Sequence, residues 1–515
     1  MNRRHDVQGL LPGRAEALNH ATTSAPVTDH SIVSEEGADG SLRRALDLAR
    51  APRVLAIRRT VATLPGVSVG RSAPLWRSPL VLLLIASAVA CRLALAVGSP
   101  TPFGYVFDFY HEPIVLYHES GVLPDTHDCW QCYHPPLFTV AGERIYAAGL
   151  ALSGGNQEWG IRSLALFSTL TSGLFLVSCW LLVGLYIRKE SHLRVLFGVA
   201  LTAPCLLISS FAAESDLLCS TLILIALVGY LKYRHGERPV VWLGLAGVAS
   251  GLAASTKYSG LIIILVVLLL LGVDLIRTRR KTILTHGLLY LSLCAALGAW
   301  HYVDNVREHD RLLVGNWAWR HMATEKPKRY YFDHYEFTTF RFGELVELMS
   351  PDSPPRELSS FPAYNQSVFT SLYGQLWTDI SIFSNPTRHG LDQGLYPAKR
   401  IPVPLIVTLL VLGLVPVMLA AVGLITAPAR SAEFLPLGVL LVATFAVYVR
   451  WVLGFNEWML KTKYLLALLP AGLVLMSYGL DACGRVNPSL ERGAIGALWL
   501  LVLAALLYWF CFAVL

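Results

Sequence analysis

Charge is scarce in this chain: Asp, Glu, Lys and Arg make up 15% of its 515 residues, whereas 54% are hydrophobic and the mean hydropathy is +0.51. That balance excludes an ordinary soluble enzyme, in which about a quarter of residues are charged. Cysteine is sparse as well; of nine, seven lie in or beside apolar runs and read as core residues, so no extracellular disulfide framework is present. No internal symmetry relates two halves of the chain, which weighs against a secondary transporter built on repeats. No histidine directly follows Cys132, which argues against covalent haem attachment. The first apolar run begins near position 79, too late and with too many runs after it for a cleaved secretory signal.

What the chain does have is apolar runs of about 20 residues, enough to cross a bilayer. They begin near positions 79, 163, 195, 215, 239, 260, 282, 401, 433, 464 and 493. These predict an all-α polytopic membrane protein with about eleven transmembrane helices. Residues 1–78 hold eleven arginines against seven acids among Ser, Thr, Gly and Ala, and are expected to form a mostly disordered cytosolic tail. Short basic loops stay cytoplasmic, which places Arg188, Lys189 and Arg194 inside, along with Lys232, Arg234 and Arg238, the run Arg277 to Lys281, and Arg430, Arg485 and Arg492. The alternation holds only if His134 to Leu152 does not cross. With Pro135 and Pro136 at its start and Glu143 and Arg144 in its middle, this stretch reads as an amphipathic helix on the outer surface. The expected organisation is therefore a tail (1–78), a transmembrane core (79–300) whose first outer loop is 99–160, an outer segment (301–400) and carboxy-terminal helices (401–515).

This topology collects polar residues on the outer side: Asp108, His111, Glu112, His134, Arg162, Glu214, Asp216, Lys257, Tyr258, Lys461 and Lys463. A charge beside hydrocarbon is costly unless it is used, so an outward-facing site is expected. Group transfer to a hydroxyl needs a base, and a carboxylate near a low-dielectric boundary has the raised proton affinity that suits the task; Asp108 fits, with Glu112 four residues on. A departing phosphate needs cations where lipid meets water, which Lys257, Lys461, Lys463 or Arg162 can supply. Plainer readings stand beside these: Asp108 as a helix cap or solvated acid, Glu214 and Asp216 as caps of the following helix, and the terminal lysines as snorkelling anchors.

The order of these features resembles a known group. An acid in the first outer loop is followed by His134-Pro-Pro-Leu137, then Arg162-Ser163, Glu214-Ser-Asp216, Gly251-Leu-Ala-Ala-Ser-Thr-Lys-Tyr-Ser-Gly260 and Lys463-Tyr-Leu-Leu-Ala-Leu-Leu-Pro470. Together they are similar to the dolichyl-phosphate-mannose protein mannosyltransferase and aminoarabinose transferase group of C-type membrane glycosyltransferases, mainly over residues 79–300. The resemblance implies an inverting enzyme that moves a sugar from a polyprenyl-phosphate donor to a protein, lipid or glycan acceptor on the outer face. It implies Asp108 and Glu112 as catalytic acids, with His111, His134, Arg162, Glu214, Asp216, Lys257, Tyr258, Lys461 and Lys463 about the substrates. Many members have two adjacent acids in the first loop, whereas here Glu112 stands four residues from Asp108.

No metal ligand set and no cofactor are assigned, although a divalent cation is compatible with the acids. His127-Asp-Cys129-Trp-Gln-Cys132-Tyr-His134 has a zinc-like spacing, yet on an oxidising side it also suits a local disulfide, or neither. Aromatics such as Trp317, Trp319, Tyr373 and Trp377 in 301–400 suit either a lid or interfacial anchoring. The alternative functions are a secondary transporter or a polyprenyl-linked glycan polymerase or ligase. A bacterial plasma membrane is the expected location, and no nucleic-acid partner is expected.

Overall fold

In hydrocarbon, each backbone N–H and C=O must be satisfied within its own segment, so the apolar runs fold as helices. The computed structural model describes residues 78–98, 110–236, 238–315, 338–348, 367–378, 402–455 and 461–514, all in one compact unit, Val69–Leu515. The expected tail (residue 78 apart), Asp108 and most of 301–400 lie outside the described residues. In chain order the helices are α1 (Pro79–Gly98), α2 (Glu112–Ser120), α3 (Leu137–Leu152), α4 (Gln157–Gly184), α5 (Glu190–Thr202), α6 (Pro204–Ser209), α7 (Ser215–Arg234) and α8 (Pro239–Thr256). Then come α9 (Leu261–Thr278), α10 (Thr282–His309), α11 (Phe342–Leu348), α12 (Val368–Trp377), α13 (Val403–Thr426), α14 (Ser431–Phe455), α15 (Leu469–Val486) and α16 (Pro488–Val514).

Ten helical stretches among the described residues are long and apolar enough to cross a membrane. The run near 195, expected to be an eleventh span, is two helices broken at Pro204. Proline lacks an N–H and disfavours helical backbone in the residue before it, and Ala203 duly sits at φ −55°, ψ 121°. The break strands carbonyls inside the apolar core, and neighbouring helices satisfy them. Arg92 Nη2 on α1 donates to Leu201 O at 3.0 Å and Trp509 Nε1 on α16 donates to Thr202 O at 3.2 Å. Arg92 is 2% exposed and also donates to Ser172 Oγ (3.1 Å) and Ala88 O (3.1 Å), so this intramembrane cation is held by neutral acceptors. Residues 190–209 together still have the length of one crossing, about 20 residues.

Close approaches fix the bundle. Helices α13 and α15 cross through Gly423 and Gly479; a Cβ on either would overlap the carbonyl of Leu475 or Leu419 on the partner helix, the small-residue contact by which membrane helices pack. Helix α3 is shorter than a span. Its buried face, Phe138, Gly142, Tyr146 and Gly149, follows a helical stripe against α4, and Glu143 within that face meets His118 Nδ1 at 3.1 Å. The amphipathic reading of this stretch accords with that pattern.

Candidate active site

Local sequence sets Lys257 apart from the helices it joins. Helix α8 ends at Thr256, Lys257 is extended (φ −160°, ψ 150°), and a short 3-10 turn over Tyr258–Gly260 leads into α9. Gly260 lies so close to the backbone of Ala253 that any Cβ would collide with it. The turn therefore folds tightly onto the end of α8, and the Lys257 ammonium enters the space at the start of α7. There it reaches Asp216 Oδ1 at 2.5 Å and the Tyr110 hydroxyl at 2.8 Å, while that hydroxyl donates to Asp216 Oδ2 at 3.3 Å. Asp216 sits in the first turn of α7, where the helix dipole favours a carboxylate.

A second ion pair completes the cluster. Lys463 Nζ meets Glu214 Oε2 at 2.6 Å and lies 3.8 Å from Asp216 Oδ2. Glu214 occupies the cap position of α7 yet makes no capping hydrogen bond; its side chain serves Lys463 instead. Burial pushes the Glu214 carboxyl above its ordinary range, with Lys463 opposing that shift. The turn carrying Lys463 is held by α12, whose Gln375 Oε1 accepts from Thr462 N at 2.8 Å and whose Leu372 O accepts from Thr462 Oγ1 at 3.1 Å. Aromatic rings pack over both ammonium groups: Lys257 Nζ is 4.7 Å from the Tyr464 ring centre and Lys463 Nζ 5.6 Å from that of Tyr110. His134 stacks on Tyr110 with ring centres 5.5 Å apart. Two cations thus balance two carboxylates in a site with side-chain exposures of 15% or less. An entering dianion could take over the lysines, which the carboxylates otherwise keep charged and oriented.

Beside the cluster, Tyr258 ties three segments together. Its hydroxyl donates to Tyr133 O at 2.9 Å, accepts from Asn305 Nδ2 (3.2 Å) and Val314 N (3.3 Å), and lies 3.4 Å from His301 Nε2. Cys129 and Cys132 form a disulfide, which resolves the alternatives left open for that motif. The Trp130 backbone N–H within the disulfide loop donates to Glu112. Burial raises the Glu112 carboxyl, with that hydrogen bond opposing, and burial holds the His111 imidazole down at about 4. Both residues line a cavity of about 450 Å³.

The structure therefore gathers Glu214, Asp216, Lys257, Lys463 and His134 with Tyr110, Tyr258 next to them, and His111 and Glu112 at an adjoining cavity. Arg162 is engaged elsewhere: its Nη2 pairs with Glu158 Oε1 at 2.5 Å on its own helix. Lys461 is a half-buried residue at the head of the Thr462 turn. Tyr110, Asn305 and His301 were not singled out from the sequence, and Tyr464 stood only within the Lys463–Pro470 motif; an aromatic in an outer loop carries no signal of its hydroxyl's partners. Among the described residues, Asp125, Glu308 and His309 bring ligand atoms within 4.8 Å of one another. Asp125 Oδ1 already accepts from Thr126 N and Oγ1 at 2.5 and 3.1 Å, and the two acids are exposed, so no metal is assigned there.

The helices thus bring buried lysines and carboxylates together at one end of the bundle. Residues 144–304 match the dolichyl-phosphate-mannose-protein mannosyltransferase family. That stretch includes Arg162-Ser163, Glu214-Ser-Asp216 and Gly251 to Gly260, so the resemblance drawn from these motifs is borne out there. No curated protein matches the sequence. Among solved structures, the chain is similar to an Archaeoglobus fulgidus oligosaccharyltransferase crystallised with Zn and sulfate (14% identity, TM-score 0.45), covering 83% of this chain and 53% of that one. The chain thus spans about half the length of that relative. It is also similar to ArnT from Cupriavidus metallidurans bound to undecaprenyl phosphate (17% identity, TM-score 0.34), covering 79% and 78% of the two chains.

Proposed function

We propose that the chain is an inverting glycosyltransferase that moves a sugar from a polyprenyl-phosphate donor to a hydroxyl acceptor on the outer face of a bacterial plasma membrane. The observation that carries this reading is the buried Lys257–Asp216–Tyr110 group with Lys463 and Glu214 beside it, of which Glu214, Asp216 and Lys257 lie inside the stretch that matches the mannosyltransferase family. Buried ammonium groups at helix ends, where a lipid headgroup would lie, suit the phosphate of a lipid-linked sugar. The basic loops of Arg188 to Arg194 and Arg277 to Lys281 support an inner location for the opposite end of the bundle.

In this mechanism the acceptor oxygen attacks the anomeric carbon as the bond from that carbon to the phosphate oxygen breaks. The bonding pair leaves with the lipid phosphate, whose added negative charge Lys257 and Lys463 offset, and the acceptor proton passes to a carboxylate. Asp108, two residues before Tyr110, is the base in this reading, with Glu112 assisting. A divalent cation beside these acids is compatible with the chemistry and no step requires one. The test is sugar transfer from a polyprenyl-phosphate donor by purified protein. Asp108→Asn is expected to lower the rate by about 100- to 10,000-fold, the usual contribution of a positioned acid or base, with thermal stability retained. A folded variant with most of its activity would contradict the assignment.

A further inference from the structure

The cavity beside the disulfide loop takes no part in the donor chemistry above. Its volume, about 450 Å³, lies within the range of small-molecule sites, roughly 300–1,000 Å³. Its polar lining consists of the Glu112 and Asp128 carboxylates, the His111 imidazole and the Gln157 amide; Tyr146 and Ile161, each 2% exposed, form an apolar wall. Among the described lining residues there is no lysine or arginine. Asp128 and Gln157 are exposed and open the cavity to solvent.

Both carboxylates are oriented by backbone donors: Asp125 N donates to Asp128 Oδ2 at 2.7 Å, and Trp130 N–H donates to Glu112. Each keeps lone pairs for further hydrogen bonds. A wall of this sign repels phosphate or carboxylate, since like charges juxtaposed across an interface are unfavourable, yet it accepts hydroxyl hydrogens well. Hydroxyls on one side and an aromatic and aliphatic wall on the other match the two faces of a sugar ring. The cavity also adjoins the ion-pair cluster, because Tyr110 holds Lys257 and the next residue, His111, lines the cavity.

We propose that this cavity holds the acceptor, and that the acceptor is an uncharged carbohydrate bound through its hydroxyls. The inference rests on the transferase reading. Its test is saturation-transfer NMR on the purified full chain, with neutral methyl hexosides and their 6-phosphates as probes. Neutral hexosides are expected to bind at least about tenfold more tightly than the phosphates. Asp128→Asn and Gln157→Ala, both at exposed positions, should each weaken neutral binding by about three- to tenfold, with the unfolding temperature measured alongside. Asp128→Asn should also narrow the gap between neutral and phosphorylated probes. Equal or tighter binding of the phosphates, no binding of any neutral hexoside, or neutral binding unaltered in both folded variants would overturn the proposal. Binding of polyprenyl phosphate to the unaltered chain is measured in parallel. Its absence would remove the transferase reading, whereas its presence without hexoside binding would remove the acceptor assignment alone.

Discussion

At one end of the bundle, Lys257 and Lys463 meet Asp216 and Glu214 at 2.5 and 2.6 Å with side-chain exposures of 15% or less, under tyrosine rings. At the opposite end of the α5/α6 pair, Lys189 bridges Asp481 and Glu491 at 3.2 and 2.7 Å while 48% of its side chain stays exposed. There His192, buried on α5, links Ser477 on α15 (3.2 Å) to Glu491 on α16 (2.7 Å). Both ends use charge to join helices, but they bear different costs. The Lys189 network leaves its cation hydrated and acts as a clip between helix termini. The Lys257 cluster desolvates four charges, and a gain in stability alone is a weak account of that, because a well-packed apolar core would do as well or better.

The comparison predicts graded effects. The largest belongs to Lys257→Met, which strands the buried Asp216 carboxylate; breaking a buried pair costs about 3–5 kcal/mol. Lys463, 3.8 Å from Asp216, places the effect at the lower end of that range. A lysine that only anchored a helix at the membrane interface would tolerate neutral replacement; the 2.5 Å pair with Asp216 makes replacement of Lys257 costly. Thermal unfolding of the detergent-solubilised protein measures the effect, and Lys257→Met/Asp216→Leu should recover most of the stability.

Arg92→Met provides a buried cation outside both clusters. It leaves Leu201 O unsatisfied at the α5/α6 break, at an expected cost of about 1–3 kcal/mol, read by the same unfolding measurement. Because Arg92 is held by neutral acceptors, no carboxylate replacement should rescue it, in contrast with Lys257.

His111 gives a smaller effect that depends on pH. Its folded value of about 4 lies below the usual value of 6.5, so the unfolded chain binds the proton first. Its contribution to stability is complete above about pH 6.5 and is lost as pH falls towards 4. The unfolding temperature of the wild type should therefore fall faster than that of His111→Gln between pH 7 and pH 5, and parallel curves would refute the assignment. The smallest effect is that of Lys189→Met, below about 1 kcal/mol for so exposed a cation.

Much of the fold was legible from hydropathy, because runs of bilayer length admit little but helices. The break at Pro204 was also present in the sequence, but the carbonyl partners that make it tolerable come from Arg92 and Trp509, more than a hundred residues away in each case. At the candidate site, the motifs named Lys257, Glu214, Asp216 and Lys463 but could not pair them. Lys257 and Asp216 are separated by 41 residues, and Lys463 and Glu214 by 249. Arg162 shows the reverse case: Glu158 stands one helical turn before it, and that i, i+4 spacing was a visible sign of a local pair. The cavity arises only when the disulfide loop, α2, α3 and α4 come together, and no single segment encodes it.

The most direct test of the account neutralises each network in a balanced way and measures affinity for polyprenyl phosphate. Lys257→Met/Asp216→Leu removes one positive and one negative charge from the buried cluster, and Lys189→Met/Glu491→Gln does the same at the other end. The account predicts that the first variant remains folded but binds the lipid phosphate at least about tenfold more weakly, as expected when a charge-assisted contact is lost, while the second binds as the wild type does. Unchanged affinity in the first variant, or equal losses in both, would contradict the claim that the Lys257 end is the phosphate-binding centre.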